Sequence, residues 1–162
     1  MDAGTPQGRL VTRRDFCLKA CEVASLAALG GILGSIVQSC SQPNNPADVA
    51  SLPTINATVA NGTIAISTGS GSPIAGVGSA ALVQYSGGSI LIAHTGSATF
   101  VAVSAVCTHQ GCLITGYSGG TYTCPCHGSQ FNTSGQVTRG PASAPLRTFA
   151  TSVANDQVII TV

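Results

Sequence analysis

A small all-β fold, a sandwich or barrel of short antiparallel strands, is predicted by three observations. Short runs rich in Val, Ile, Thr and aromatic residues recur at close spacing after residue 53. Turn residues stand between them: Asn61-Gly62, Gly69-Ser70-Gly71, Gly87-Gly88 and Asn155-Asp156. No stretch beyond residue 53 carries a convincing 3.6-residue apolar period. With 162 residues, the chain is long enough for one domain and little more.

The expected strands are Ile55–Ala60, Thr63–Ser67, Ala81–Tyr85, Ser89–Ala93, Thr99–Ser104, Leu146–Val153 and Val158–Val162. The first two flank Asn61-Gly62, a hairpin signature because both turn positions favour positive φ. The segment Val106–Gly140 interrupts the strand pattern. It reads as loops held by something other than an apolar core. His94 lies outside that segment and reads as an ordinary strand-end histidine.

Ahead of the body lie two further regions. Residues 1–40 read as an export signal or membrane anchor. A basic start is followed by the mostly apolar stretch Val23–Val37, nearer in length to a signal-peptide core than to a membrane span. The sequence Thr12-Arg13-Arg14-x-Phe16-x-x-Lys19 resembles a twin-arginine export signal. Val37-Gln38-Ser39-Cys40 resembles a lipoprotein cleavage box, in which Cys40 would be lipidated; Gln38 is unusual there. Cys17 and Cys21 read as small apolar residues of the signal. Residues 41–53, rich in Pro, Asn and Ser, read as a flexible linker, with the folded domain over 54–162.

Charge narrows the partners. Charged residues make up 7% of the chain, against roughly 25% in an average protein. After Glu22 only Asp48, Arg139, Arg147 and Asp156 remain. Nucleic acid is thereby excluded as a partner, since phosphate binding needs clustered Lys or Arg.

The chemistry concentrates in Cys107-Thr108-His109-Gln110-Gly111-Cys112 and Cys124-Pro125-Cys126-His127-Gly128-Ser129. Four cysteines and two histidines fall within 23 positions. A disulfide framework would suit an exported chain but leaves the histidines unexplained. Thiolate and imidazole together are metal ligands, so zinc could use one cysteine and one histidine from each box. That would leave Cys112 and Cys126 unexplained.

Both boxes, C-x-H-x-G-C and C-x-C-H-x-[GS], resemble those of the Rieske [2Fe–2S] family, and the likeness continues through Ser129–Leu146 with its Gly140-Pro141-Ala142 loop. The resemblance implies a Rieske-type β sandwich with a loop-rich cluster-binding part over about 105–145. It implies one [2Fe–2S] cluster, with Cys107 and Cys124 on one iron and His109 and His127 on the other. Cys112 and Cys126 would form a disulfide, as in the cytochrome bc-type members. Ser129 would donate a hydrogen bond to a bridging sulfide. Such an oxidised site, with two Fe(III), two sulfides and two thiolates, is formally neutral, which raises its potential. Phe131 stands where the highest-potential members carry a tyrosine, so a somewhat lower potential is expected. Loss of an imidazole proton would couple to electron loss, so the potential should fall as pH rises.

The implied function is one-electron transfer as the iron–sulfur subunit of a membrane quinol-oxidising complex, passing electrons to a c-type cytochrome. The alternatives are a small subunit resembling that of arsenite oxidase, wired to a molybdenum enzyme, and a non-redox zinc or disulfide-bonded surface lipoprotein. Gln110 replaces a leucine usual in bc-type members; Leu113 and Ile114 could still supply apolar docking surface. The implied location is outside the cytoplasm, at the outer face of the cytoplasmic membrane or in the periplasm. Membrane association through an anchor or a lipid is expected.

Overall fold

The structure, a computed structural model, describes residues 49–162. The signal or anchor read over 1–40, Cys40 within it, and most of the 41–53 linker lie outside these residues. Among the described residues there are twelve strands, and no helix long and apolar enough to cross a membrane.

The strands form three sheets. Strands β1 (Thr54–Asn56), β3 (Ala80–Tyr85), β4 (Gly88–Gly96), β5 (Thr99–Ser104) and β10 (Thr148–Phe149) make the central sheet, in the order β1-β3-β4-β5-β10. β2 (Thr63–Ser67), β11 (Thr151–Ala154) and β12 (Gln157–Thr161) make a second, ordered β11-β12-β2. The third comprises β6 (Gly116–Ser118), β7 (Thr121–Thr123), β8 (Gln130–Asn132) and β9 (Val137–Arg139) in sequence order.

The sequence of each strand shows which faces it buries. β2 and β12 alternate buried and exposed residues, so each covers the core with one face only. The β3 and β4 runs Ala-Ala-Leu-Val and Ile-Leu-Ile-Ala are apolar without alternation, and every one of those residues is buried. The central sheet is therefore covered on both sides. Ala81, Val83, Ile90 and Ile92 meet Ile64, Ile66, Val158 and Ile160 of the second sheet. Leu82, Leu91, Ala93 and Val103 meet Ile114, Tyr122, Phe131 and the thiols Cys107 and Cys124.

The hairpin expected about Asn61-Gly62 does not form: the first run shortens to β1, which pairs β3 in parallel, β2 pairs β12, and only the Ala60–Thr63 bridge closes the turn. The turn residues themselves still adopt the conformations that tight turns require. Asn61-Gly62 has φ of 52° and 73°, and Asn155-Asp156 has 52° and 55°, the left-handed pairs that two-residue hairpins need. The run Leu146–Val153 divides into β10 and β11, which carry the chain from the central sheet to the second.

Two further expectations change. The segment Val106–Gly140 is not held only by loops: it contains the whole third sheet, with Ile114, Tyr122 and Phe131 completely buried. Its strands have three residues each, too few to show a period. The body also begins before Thr54. Ser51 bridges Gly116, the Leu52 amide donates to the Thr115 carbonyl at 2.8 Å, and the Leu52 side chain is buried.

Candidate metal centre

Two loops at one end of the third sheet carry the cysteines and histidines, and they are built alike. In the first, the Cys107 carbonyl accepts the Gly111 amide at 2.9 Å and the Cys107 amide donates to the Cys112 carbonyl at 2.8 Å. In the second, the Cys124 carbonyl accepts the Gly128 amide at 3.0 Å and the Cys124 amide donates to the Ser129 carbonyl at 2.9 Å. Each turn reverses on a glycine with positive φ, 75° at Gly111 and 73° at Gly128. A side chain there would be strained.

The loops are joined by a Cys112–Cys126 disulfide with Cα atoms 6.5 Å apart. Cys107 and Cys124 remain reduced and buried. The His109 and His127 rings meet edge to face with centroids 4.8 Å apart. His109 is half-buried and His127 exposed. The four residues read as iron ligands thus lie on the two facing loops, thiols inward and imidazoles outward. Cys124 Sγ also lies within 4.8 Å of both disulfide sulfurs, but a bonded pair offers no thiolate and that trio makes no cage.

Electrostatics and polar accounting suit a metal group. Burial pushes the Cys124 thiol above its usual range, and the Cys107 thiol beside it pushes the same way. The amides of Cys126 and His127 pull it down. Two neighbouring thiols in such surroundings ionise when a cation takes their lone pairs. His109 Nδ1 is buried and has no hydrogen-bond partner in the protein. A buried nitrogen rarely stays unpaired, so a lone pair with nothing to accept fits a metal ligand. The donor set of two thiols and two imidazoles therefore fits a binuclear iron–sulfur group.

A third segment, Gly140–Leu146, is fastened against both loops. Its Gly140–Pro141 peptide is cis. The Thr108 hydroxyl donates to the Ala144 carbonyl at 2.6 Å. The Ala142 amide donates to Ser129 Oγ at 3.0 Å, and Ser129 is completely buried. Ser129 Oγ accepts there, so its own proton is left to donate elsewhere. Gly135 has φ of 80°, and a Cβ on it would sit 3.2 Å from Leu146 and from Val103, so its bareness lets the segment close.

The rim around the first loop is apolar. Val106 is 49% and Leu113 36% exposed, whereas Ile114 is fully buried and offers no docking surface. Sequence reasoning missed Thr108, whose role rests on a partner 36 residues away, and Tyr122. Tyr122 is buried opposite Phe131 on the neighbouring strand. Burial first, then the neighbouring Tyr117, holds its hydroxyl strongly protonated.

Comparison with known proteins bears on the same segment of the chain. Residues 73–150 match the family model described as the Rieske [2Fe–2S] domain. The chain is 44% identical over 63 residues to the cytochrome b6-f complex iron-sulfur subunit of Prochlorococcus marinus (strain NATL1A), covering 38% of this chain and 35% of that one. It is 46% identical over 59 residues to the same subunit of Synechococcus sp. (strain CC9605), covering 36% and 33%. The match thus spans about a third of the length of these relatives. Among solved structures, the cyanobacterial plasma membrane Rieske protein PetC3 from Synechocystis PCC 6803 is 30% identical, with 51% of this chain and 86% of that chain covered and a TM-score of 0.47.

Proposed function

Because the chain carries a Rieske [2Fe–2S] domain, we propose that it is a one-electron carrier, the iron–sulfur subunit of a membrane quinol-oxidising complex of the cytochrome bc type. Cys107 and Cys124 bind one iron, and His109 and His127 the other. The observation that carries this reading is the pairing of two reduced, buried thiols with two adjacent imidazoles, one of them holding a buried Nδ1 without a partner. A cluster bound there supplies a one-electron couple whose potential is raised by the neutral imidazole ligands.

The protein's own residues do the rest. The disulfide and the two glycine turns hold the ligand loops at a fixed separation. Ser129, anchored by the Ala142 amide, keeps its own proton free and would donate it to a sulfur of the bound cluster. Val106 and Leu113 give a partner an apolar landing, and the exposed His127 ring is placed to accept the hydroxyl proton of a quinol. A c-type cytochrome is the electron acceptor. The cytochrome b6-f subunits among the relatives support this assembly, and no relative named above is a molybdenum enzyme.

Location follows the same reading. A disulfide persists in an oxidising compartment. With the twin-arginine-like residues 12–19, it supports export in a folded state across the cytoplasmic membrane. The protein then stays on the outer face, held by residues 1–40 or by lipid on Cys40.

EPR of the reduced protein tests the site. Wild type gives the signal of a binuclear cluster with two histidine ligands. His109→Ala and His127→Ala each lose it, and the wild-type potential falls as pH rises. A wild-type protein that carries stoichiometric zinc and no EPR signal would refute the reading.

A further inference from the structure

Residues 49–53 run along the edge of the third sheet and then enter the central one. The Ala50 carbonyl accepts the Tyr117 amide at 3.0 Å, and the Leu52 amide donates to the Thr115 carbonyl at 2.8 Å, with Ser51 opposite Gly116. One residue later the Pro53 carbonyl accepts the Leu82 amide at 2.9 Å, where β1 begins. A strap of five residues thus joins the sheet that carries the ligand loops to the sheet beneath it.

The strap grips the stems of both ligand loops. The first loop rises from a short ladder in which Val106 bridges Leu113 and the Ile114 amide donates to the Ala105 carbonyl at 2.8 Å. Thr115, the next residue out of that ladder, is the one that holds Leu52. The second loop starts at Cys124, and the residue before it, Thr123, pairs with Gly116. Strap, first stem and second stem therefore meet at Gly116. A Cβ on that residue would lie 3.1 Å from the Val49 side chain and 3.1 Å from the Thr123 carbonyl oxygen, so only glycine lets the three close together. The Leu52 side chain is buried in the core that also contains Cys107 and Cys124.

Two elements that share backbone bonds in this way bias each other. A metal group that takes ligands from both loops fixes their stems, and part of its binding free energy is then folding free energy of the site. The strap has two hydrogen bonds to the third sheet and one buried apolar side chain, Leu52. So few contacts mark a segment that opens locally, well below the free energy of global unfolding. Whatever the filled site adds to the strap, the closed strap returns to the site, because such coupling is reciprocal.

We propose that residues 49–53 are a strap whose closure reports and supports occupancy of the cluster site. A filled head holds its chain from Val49 onward, whereas an emptied head releases residues 49–53 and begins at Thr54. The proposal rests on the cluster reading, since it takes a cluster to span the two loops.

The test is hydrogen exchange, read by mass spectrometry, on the full chain with its cluster and after removal of the cluster by an iron chelator under oxidising conditions that keep the disulfide. Emptying the site should speed exchange of the Leu52 and Tyr117 amides about tenfold or more, with those of Ile64 and Ile160 unchanged. Equal exchange in both states overturns the proposal. Loss of protection at all four amides would mean that the head unfolds as a whole, and overturns it too. The EPR signal of the starting protein separates the two readings. No cluster signal sinks the cluster reading and the strap with it, whereas a normal signal with unchanged exchange sinks the strap alone. In the reverse direction, Gly116→Val keeps every proposed ligand and pushes Val49 away. It should speed exchange at Leu52 in the loaded protein and speed iron loss to the chelator, again about tenfold. Should that variant not fold, Leu52→Ala loosens the strap without crowding β7 and carries the same expectation. Wild-type iron retention in a folded variant whose strap exchanges fast overturns the proposal.

Discussion

At Ser129 a single hydroxyl links the proline segment to the proposed cluster. Its oxygen accepts the Ala142 amide, which leaves its proton free to donate. Ser129→Ala should load the cluster yet lower its midpoint potential by on the order of 60 mV, a tenfold factor in a one-electron equilibrium. Protein-film voltammetry measures this, and an unchanged potential would show that the serine serves only to hold Ala142. The residues proposed as ligands stood out in the sequence because thiols and imidazoles at those spacings have few other uses. Thr108 and Tyr122 were not. A threonine hydroxyl or a tyrosine reads the same in any loop or strand, and what each does depends on Ala144 and Tyr117, which folding brings alongside. His94 read as ordinary for the same reason; only its surroundings reveal an unmet Nε2.

Among the elements, long strands declared themselves and short ones did not. β2 and β5 occupy the expected residues, since five or six positions suffice to show alternation or a continuous apolar run. The third sheet stayed hidden because three-residue strands separated by glycines look like loop. The loops above that sheet depend on their disulfide. Its partners are 14 residues apart, so in the chain-entropy account its loss costs about 3 kcal/mol. Cys112→Ala with Cys126→Ala should lower the denaturant midpoint accordingly and weaken cluster retention, read from the iron content after dialysis. The stretch ending the presumed linker is a structural element too. Leu52→Ala, at a residue only 7% exposed, should cost roughly 2–5 kcal/mol in chemical denaturation. A change near zero would mean that residues 49–53 merely rest on the surface.

For the molecule as a whole, the central sheet is shared by two cores, one facing the second sheet and one backing the thiols. The class of fold was readable from strand runs and turns. The layering was readable only in hindsight, from the absence of alternation in β3 and β4. One consequence of the topology concerns the order of events in folding. The third sheet is a meander whose strands pair with their immediate successors, whereas β2 must find β12, with Ile64 opposite Ile160. Contacts so distant along the chain form slowly, because the loop entropy is lost before any pairing is gained. The ligand loops should thus assume their shape while the two ends of the domain are still apart. Pulse-labelling hydrogen exchange during refolding should protect the Tyr122 and Phe131 amides before those of Ile64 and Ile160. Cluster insertion would then have an open, half-made domain as its acceptor, and the late closure of β2 on β12 would seal the product.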